Sequence, residues 1–133
     1  MNALEIGQRV LHKAYAPISR HTLALYCGAS GDLNPMHVDS DFARAAGYAD
    51  VFSHGMLVMA YLGQAVTDAF PPSRLRSFKT RFAAITQLGA QVTCEGRVAE
   101  LLEHDGERRA RISLTATDEA GSVKLNGEAV VAL

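Results

Sequence analysis

Hydrophobic residues occur with two different periods along this chain. From Gly55 to Phe70 they lie on every side of a helical wheel, which is typical of a helix that is buried all round. Pro71 and Pro72 follow and predict an abrupt end to this helix. Four later runs instead alternate with a period of two, which predicts antiparallel strands with one buried face, at residues 74–83, 91–102, 109–118 and 122–133.

The first half of the chain predicts a strand, two further helices and several turns. The strand covers residues 8–18, a helix over 20–29 has Ser19 as its N-cap, and a short helix over 41–46 is capped by Ser40 and ended by Gly47. In the second half, disagreeing apolar phases predict a bulge near Ser77. Glycine-containing hairpin turns are predicted at residues 103–106 and 118–121.

These elements predict an α+β fold in which an antiparallel sheet wraps around one long central helix, residues 55–70. One curled sheet cannot cover every side of a helix. Because the helix is apolar all round, the remaining side is expected to contact a second copy of the chain. The sequence therefore predicts a homodimer.

Length and charge favour one soluble domain. The 133 residues suit a single domain over 1–133, and 13 basic against 14 acidic residues give no excess that would favour nucleic acid. Cys27 and Cys94 lack metal-binding or redox spacing and fit a reducing compartment. Residues 1–10 lack a signal-peptide pattern, and the low-charge run at 51–67 is shorter than the roughly 20 residues of a membrane span. We expect a cytoplasmic protein.

The turn at residues 30–37 carries the most distinctive chemistry. It places a carboxylate (Asp32), an amide (Asn34) and an imidazole (His37) within six residues. A carboxylate and an imidazole directed at one water are the parts of a hydration or dehydration site. Taken singly, Asp32 and Asn34 also fit ordinary turn residues, and His37 fits a surface histidine.

A second candidate feature opens the central helix, where the sequence predicts substrate binding by Ser53, His54, Gly55 and Met56. Helix N-termini offer free N–H groups, and a glycine lets a ligand approach the backbone closely. The N–H of Gly55 could therefore bind a substrate carbonyl as it becomes an enolate. The structural alternative is that Ser53 only caps the helix and Gly55 only allows close packing.

Basic residues cluster just after the central helix, and the candidates for phosphate binding there are Arg74 and Arg76, with Lys79 and Arg81 beside them. They could bind the phosphates of a ligand or an acidic protein, or they could form a solvated strand face. His37, Asp39 and Asp41 alternate along one segment, but no cysteine or second clustered histidine completes a set of metal ligands. No metal and no cofactor are predicted.

Three motifs resemble those of the MaoC-like dehydratases, also called (R)-specific enoyl-CoA hydratases. Residues 26–37 read YCGASGDLNPMH and contain the pattern G-D-x-N-P-x-H; HGM follows at 54–56 and RFAAI at 81–85. The resemblance extends over roughly residues 5–133. It implies a hotdog fold, with a five- or six-stranded sheet around the helix, working as a homodimer.

The resemblance also implies a reaction and residue roles. Water would add reversibly, on one face, to a trans-2-enoyl thioester of coenzyme A or acyl-carrier protein, giving an (R)-3-hydroxyacyl thioester. Asp32 and His37 would activate the water, Asn34 would support them, and the N–H of Gly55 would bind the thioester carbonyl. The segment 86–90, TQLGA, lacks the proline that many members carry there, and Ser53 is more polar than expected.

Two other functions remain open from the sequence. A hotdog thioesterase would hydrolyse the same thioester, although such enzymes usually carry a carboxylate on or near the central helix. Here the only acid in that helix is Asp68, at its far end. A non-catalytic subunit that binds acyl thioesters is the second alternative, and the intact set of Asp32, Asn34 and His37 argues against it.

Overall fold

The structure, a computed structural model, describes residues 3–133; Met1 and Asn2, the first residues of the predicted domain, lie outside the described part. The described residues form three α-helices and five β-strands. In chain order these are β1 (Arg9–Ala14), α1 (Arg20–Ser30), α2 (Ser40–Ala45), α3 (Gly55–Ala69), β2 (Leu75–Phe82), β3 (Thr93–His104), β4 (Glu107–Thr117) and β5 (Val123–Ala132).

The five strands join one antiparallel sheet in the order β1-β3-β4-β5-β2. On β4 the predicted alternation is confirmed, because Ala110, Ile112, Leu114 and Ala116 are all at most 1% exposed. They form the helix-facing side, and the intervening residues point to solvent. This one-sided burial is what allows the sheet to curl around a helix while its other face stays hydrated.

Helix α3 packs against the inner face of the sheet along a single side. Leu57, Val58 and Leu62 lie on the buried side, while Met56 is 51% exposed and Ala60 is also exposed. One protomer therefore leaves part of the helix uncovered, as the sequence predicted. The physical reason is geometric, since one five-stranded sheet faces only one side of a cylinder.

Several boundaries differ from the sequence expectations for local reasons. The short helix α2 begins at Ser40 and is capped by Asp39, whose carboxylate accepts from the N–H groups of Asp41 and Phe42 at 3.0 and 3.1 Å. Ser40 is therefore the first helical residue and not the cap. Strand β1 ends at Ala14, before Pro17, which has no N–H to give to a ladder.

Helix α3 ends one residue earlier than predicted, at Ala69. Phe70 is extended, with φ −133° and ψ 134°, because a residue that precedes proline is disfavoured in the helical region. The register shift between Leu75 and Ser77 confirms the predicted bulge. None of the helices within residues 3–133 is both long and apolar enough to cross a lipid bilayer.

The β3–β4 hairpin turns where the sequence predicted, at residues 103–106. Asp105 and Gly106 both have positive φ, 49° and 77°, which is the requirement of a two-residue turn that matches the twist of the strands. Asn and Asp tolerate this region better than other residues with a Cβ. This hairpin joins the two longest strands and sets the register of the sheet centre.

Candidate active site

The loop after α1 is folded by its own polar side chains, and it presents Asp32 directly at the helix end. Gly31 caps α1 in the left-handed region, with φ 75°. The Ser30 hydroxyl donates to the Tyr26 carbonyl at 2.6 Å and accepts from the Asp32 N–H at 3.1 Å. A glycine is favoured at position 31 because the chain must reverse there with positive φ.

Asn34 shapes the next turn. Its side-chain oxygen accepts from the Met36 N–H at 3.1 Å, and its own N–H donates to Asp32 Oδ1 at 3.3 Å. Pro35 begins a 3₁₀ turn that ends at His37. Asn34 therefore holds both the Asp32 carboxylate and the turn that carries His37, which agrees with a supporting role.

The tautomer of His37 follows from its surroundings. His37 is 8% exposed, and its Nδ1 lies 2.7 Å from the carbonyl oxygen of Phe52. A carbonyl can only accept, so Nδ1 carries the proton and donates it to Phe52. The neutral ring then offers the lone pair on Nε2, which is the atom that can accept a proton from water.

A carboxylate oxygen of Asp32 and one ring nitrogen each of His37 and His54 all lie within 4.8 Å of one another. Asp32 and His37 make no direct hydrogen bond to each other within the described residues. A water molecule that makes hydrogen bonds of about 2.8 Å can bridge two groups at this separation. The geometry therefore permits a single water to bridge the carboxylate and the imidazole.

His54 lies behind this pair, not in contact with solvent. It is 1% exposed, its ring stacks on His37 at 3.8 Å, and its Nε2 donates to the Asp32 carbonyl at 3.3 Å. Burial lowers the pKa of His54 below its ordinary value, and repulsion from a proton on the neighbouring His37 would lower it further. His54 is thus a neutral imidazole that contacts both candidate catalytic residues.

A cleft of about 330 Å³ opens beside His37. Ser53 and Gly55 line it, together with the Phe82 ring and the loop after β2; the full lining is His37, Phe52, Ser53, Gly55, Phe82, Ala83, Ala84, Ile85 and Thr86. A Cβ on Gly55 would lie 2.9 Å from two carbon atoms of the Phe82 ring. The aromatic ring therefore packs directly over the glycine.

The start of α3 faces this cleft without a side-chain cap. Its N-cap is His54, and no side chain among residues 3–133 bonds to the first N–H groups of the helix. The Gly55 N–H also has no backbone partner in that part of the chain. A helix N-terminus with free N–H groups and positive dipole charge is suited to a developing oxyanion.

The three grouped residues do not have the geometry of a metal site. The His37 and His54 rings are stacked with only 26° between their planes. Lone pairs on stacked rings run side by side, whereas metal ligands must point at one centre. His37 Nδ1 and His54 Nε2 are in addition already bonded to carbonyl oxygens.

The remaining predicted site residues lie away from the cleft lining. Met56 points outward from α3. Arg76 forms a two-pronged ion pair with Glu107 at 2.9 and 2.8 Å, which offsets its charge. Arg74 precedes β2, eight residues from Phe82, or over 20 Å at roughly 3.3 Å per residue. One protomer therefore does not bring Arg74 and Arg76 to the catalytic loop.

Sequence reasoning missed three features of the site. The Phe52 carbonyl that fixes His37 leaves no signal, because it is a backbone group. Phe82 lies within the RFAAI motif, but its packing over Gly55 depends on how β2 meets α3. The sequence predicts substrate binding for His54, yet this residue is buried and does not line the cleft. Its position directly before Gly55 is the one sequence feature that places it near the site.

A family model described as MaoC like domain matches residues 2–121 of this chain. The chain is 32% identical over 80 residues to the probable enoyl-CoA hydratase 2 of Dictyostelium discoideum, covering 58% of the chain but only 27% of that longer protein. It is 28% identical to the (R)-specific enoyl-CoA hydratase of Aeromonas caviae, covering 98% of the chain and 96% of that protein.

Solved structures show the same architecture. The R-hydratase PhaJ1 from Pseudomonas aeruginosa superimposes with a TM-score of 0.84 and 30% identity, over 97% of this chain and 82% of that chain. The five-stranded sheet wrapped around α3 is therefore a hotdog fold, as the motif resemblance implied.

Proposed function

The chain belongs to the MaoC-like domain family, and on that premise we propose that it hydrates trans-2-enoyl thioesters reversibly to (R)-3-hydroxyacyl thioesters. The names of the two relatives and of the R-hydratase structure support this activity. The observation that carries the proposal is that a carboxylate oxygen of Asp32 lies within 4.8 Å of a ring nitrogen of His37, and that His37 lines the cleft. All five strands join one sheet around one helix, which supports treating residues 1–133 as one hydratase domain.

The proposed first step is activation of one water. The water donates hydrogen bonds to the Asp32 carboxylate and to Nε2 of His37, which leaves its oxygen lone pair free to attack C3 of the substrate. As the C3–O bond forms, Asp32 takes a proton from the water. The His37 ring is held in the accepting tautomer by its bond to the Phe52 carbonyl.

The electron pair of the C2–C3 double bond moves to the thioester and makes its carbonyl oxygen an enolate. The N–H of Gly55 donates to this oxygen at the unpartnered start of α3. C2 then takes a proton from the Asp32–His37 pair and the enolate collapses. Hydroxyl and proton arrive from the same side, because one water between two groups serves both; this predicts syn addition.

Two alternatives are less well supported. The only acid in α3, Asp68, is paired with Lys13 at 2.5 Å and lies thirteen residues along the helix from Gly55, or about 20 Å away. A thioesterase would therefore lack a carboxylate at this cleft from that helix. A subunit that only binds acyl thioesters would not need the complete set of Asp32, Asn34 and His37.

The thioester carrier and the residues that bind it also belong to this proposal. A thioester of coenzyme A or of acyl-carrier protein fits the cleft chemistry, and Arg74 remains a proposed contact for its phosphates. If so, Arg74→Glu should raise KM for a CoA ester but not for the matching phosphate-free N-acetylcysteamine ester.

One assay separates the three functions. The protein is incubated with crotonyl-CoA while the enoyl absorbance and the free thiol are followed together. A hydratase removes the enoyl absorbance without releasing thiol and gives the (R)-3-hydroxy product on chiral analysis. Release of thiol would identify a thioesterase, and no change in either signal would indicate a binding subunit; both results would overturn the proposal.

A further inference from the structure

The stacked histidine pair at the base of the cleft contains one imidazole that the proposed chemistry does not use. His54 is 1% exposed and lies outside the cleft lining, so it cannot contact substrate as His37 does. A buried imidazole in an active-site loop carries a desolvation cost that ordinary packing residues such as Leu or Phe avoid. Its contacts show what it contributes.

His54 touches both members of the proposed catalytic pair. Its Nε2–H donates to the backbone carbonyl of Asp32 at 3.3 Å, and its ring stacks on His37 with centroids 3.8 Å apart. Asp32 itself is on an exposed turn, and its bonds with Ser30 Oγ and the Asn34 N–H are local to that turn. The bond to its carbonyl therefore ties that turn to the start of α3, where Gly55 provides the N–H for the thioester.

The surroundings of His54 hold it in one tautomer. Cys27 Sγ lies 3.4 Å from the same Nε2, and the ring of Tyr26 packs edge-on at 4.8 Å. Nε2 faces a carbonyl oxygen, which can only accept, so Nε2 carries the proton. Nδ1 is then an acceptor, and it is buried with no hydrogen-bond partner among the described residues.

An orphaned buried acceptor of this kind is destabilising and calls for an explanation. The missing partner of Nδ1 is explained if the site needs His54 to stay neutral. A protonated His54 stacked on His37 would repel a proton on its neighbour and would weaken His37 as a proton acceptor. An Nδ1 without a partner has nothing nearby to stabilise the charged form, so the ring stays neutral.

We infer that His54 is a positioning residue, whose neutral imidazole fixes the Asp32 turn and the His37 ring so that both address the same water. This inference rests on the proposed hydratase function. It moves His54 from the substrate-binding set, where the sequence placed it, to a position behind the catalytic pair. Misplacing catalytic groups by about 1 Å can cost on the order of 10²-fold in rate, which sets the scale of the effect.

Two substitutions each remove one contact. His54→Phe keeps a ring against His37 but cannot donate to the Asp32 carbonyl; His54→Gln keeps an N–H donor but loses the stack. Both should lower kcat for crotonyl-CoA by about 10-fold or more while KM stays within about threefold, because substrate does not touch His54. Val51→Ala is the matched control, since Val51 is also 1% exposed, lies outside the cleft lining and has no polar side-chain atom. It should lower the melting temperature and leave kcat within about threefold.

A double variant of His54 and Asp32 distinguishes a positioning role of His54 from a general effect on stability. In an Asp32→Asn background, His54→Phe should lower kcat by no more than about threefold further, because the residue acts through Asp32. Unchanged kcat in both His54 variants, an equal loss in Val51→Ala, or a full multiplicative loss in the double variant would overturn the inference.

A measurement on the unmodified protein does not depend on how the variants fold or on activity. In ¹⁵N-edited NMR of the imidazole groups at pH 7, His54 should be neutral with its proton on Nε2. A cationic ring or a proton on Nδ1 would overturn the inference. If wild-type protein shows this tautomer but does not hydrate crotonyl-CoA, the proposed function fails and the His54 geometry stands.

Discussion

At the scale of single residues, the site depends on which atoms are already bonded. His37 Nδ1 is committed to the Phe52 carbonyl and His54 Nε2 to the Asp32 carbonyl. Nε2 is therefore the ring nitrogen of His37 that has no hydrogen-bond partner within the described residues. Two neighbouring histidines thus differ in role because their protons are held on different nitrogens.

Gly55 allows a sharp test of the carbonyl-binding position. In a helix the Cβ tilts toward the N-terminus, so an added methyl group would point at the place proposed for the thioester oxygen. Gly55→Ala should raise KM and lower kcat/KM by about 10-fold or more in steady-state assays. Gly63→Ala is the control, because its Cβ would meet Phe78 at an ordinary 3.4 Å and lies further along α3.

A Cβ at position 55 would also push on Phe82, at 2.9 Å. The double variant Gly55→Ala/Phe82→Ala removes that clash but leaves the methyl group beside the N–H. The loss of kcat/KM should persist in the double variant. Full recovery would show that Gly55 is needed only to make room for the phenyl ring.

The lowered pKa of His54 predicts a pH dependence of stability. The groups that face its ring are His37, the Asp32 backbone and carboxylate, Cys27 and Tyr26. Because the folded-state pKa lies below the ordinary 6.5, the unfolded chain binds a proton first as pH falls. The free energy of unfolding should therefore decrease as pH drops below about 6.5, with a slope of at most about 1.4 kcal/mol per pH unit from this group.

Urea denaturation at pH 7.5 and at 5.5 measures this contribution. The decrease in the free energy of unfolding should be smaller in His54→Gln, which has no titratable group at that position. An equal decrease in wild type and variant would assign the pH dependence to other groups.

At the scale of elements, periodicity was sufficient for the strands and helices but not for what surrounds them. The alternation on β4 arises from residues that are themselves buried, so there the pattern matches the burial, whereas the apolar residues of α3 include the exposed Met56. The N-cap of α2 is Asp39 and not the predicted Ser40. Either of these adjacent polar residues can cap a helix, and only the geometry of the turn selects one. Contacts between distant elements, such as Phe82 on Gly55, have no local signal.

Helix α3 should contribute to stability through its buried side only. Leu62 is fully buried against the sheet, so Leu62→Ala should reduce the free energy of unfolding by about 2–5 kcal/mol. Leu25 on α1 is 60% exposed, and Leu25→Ala should change the free energy by no more than about 0.5 kcal/mol. Urea titration of both variants measures the difference, and similar losses would contradict the packing described for α3.

At the scale of the whole molecule, a second copy is the expected partner for the uncovered surface. Met56 on α3 and Phe82 on β2 are 51% and 53% exposed, and Ile85 adds a further 39% exposed apolar side chain. Strand β2 pairs only with β5 within residues 3–133, so its outer edge is open. An unpaired edge next to apolar side chains favours association.

We therefore propose a homodimer, and sedimentation equilibrium at micromolar concentration should give about twice the mass of one chain. Substituting Phe82→Asp places a charge in the exposed apolar patch and should shift the equilibrium toward monomer. A fully active monomer in the wild-type protein would contradict the proposal.

The central claim is that Asp32 takes a proton from the water that adds to the enoyl thioester, and the turnover number of Asp32→Asn tests it most directly. The substitution keeps the side chain's size and removes its basic oxygen. With crotonyl-CoA, kcat should fall by about 10²–10⁴-fold while the melting temperature and KM stay close to wild type. Asp41→Asn, an exposed carboxylate in the first turn of α2, is the matched control and should leave kcat unchanged. Near-normal turnover in a folded Asp32→Asn protein would contradict the account and leave the G-D-x-N-P-x-H segment as a structural turn.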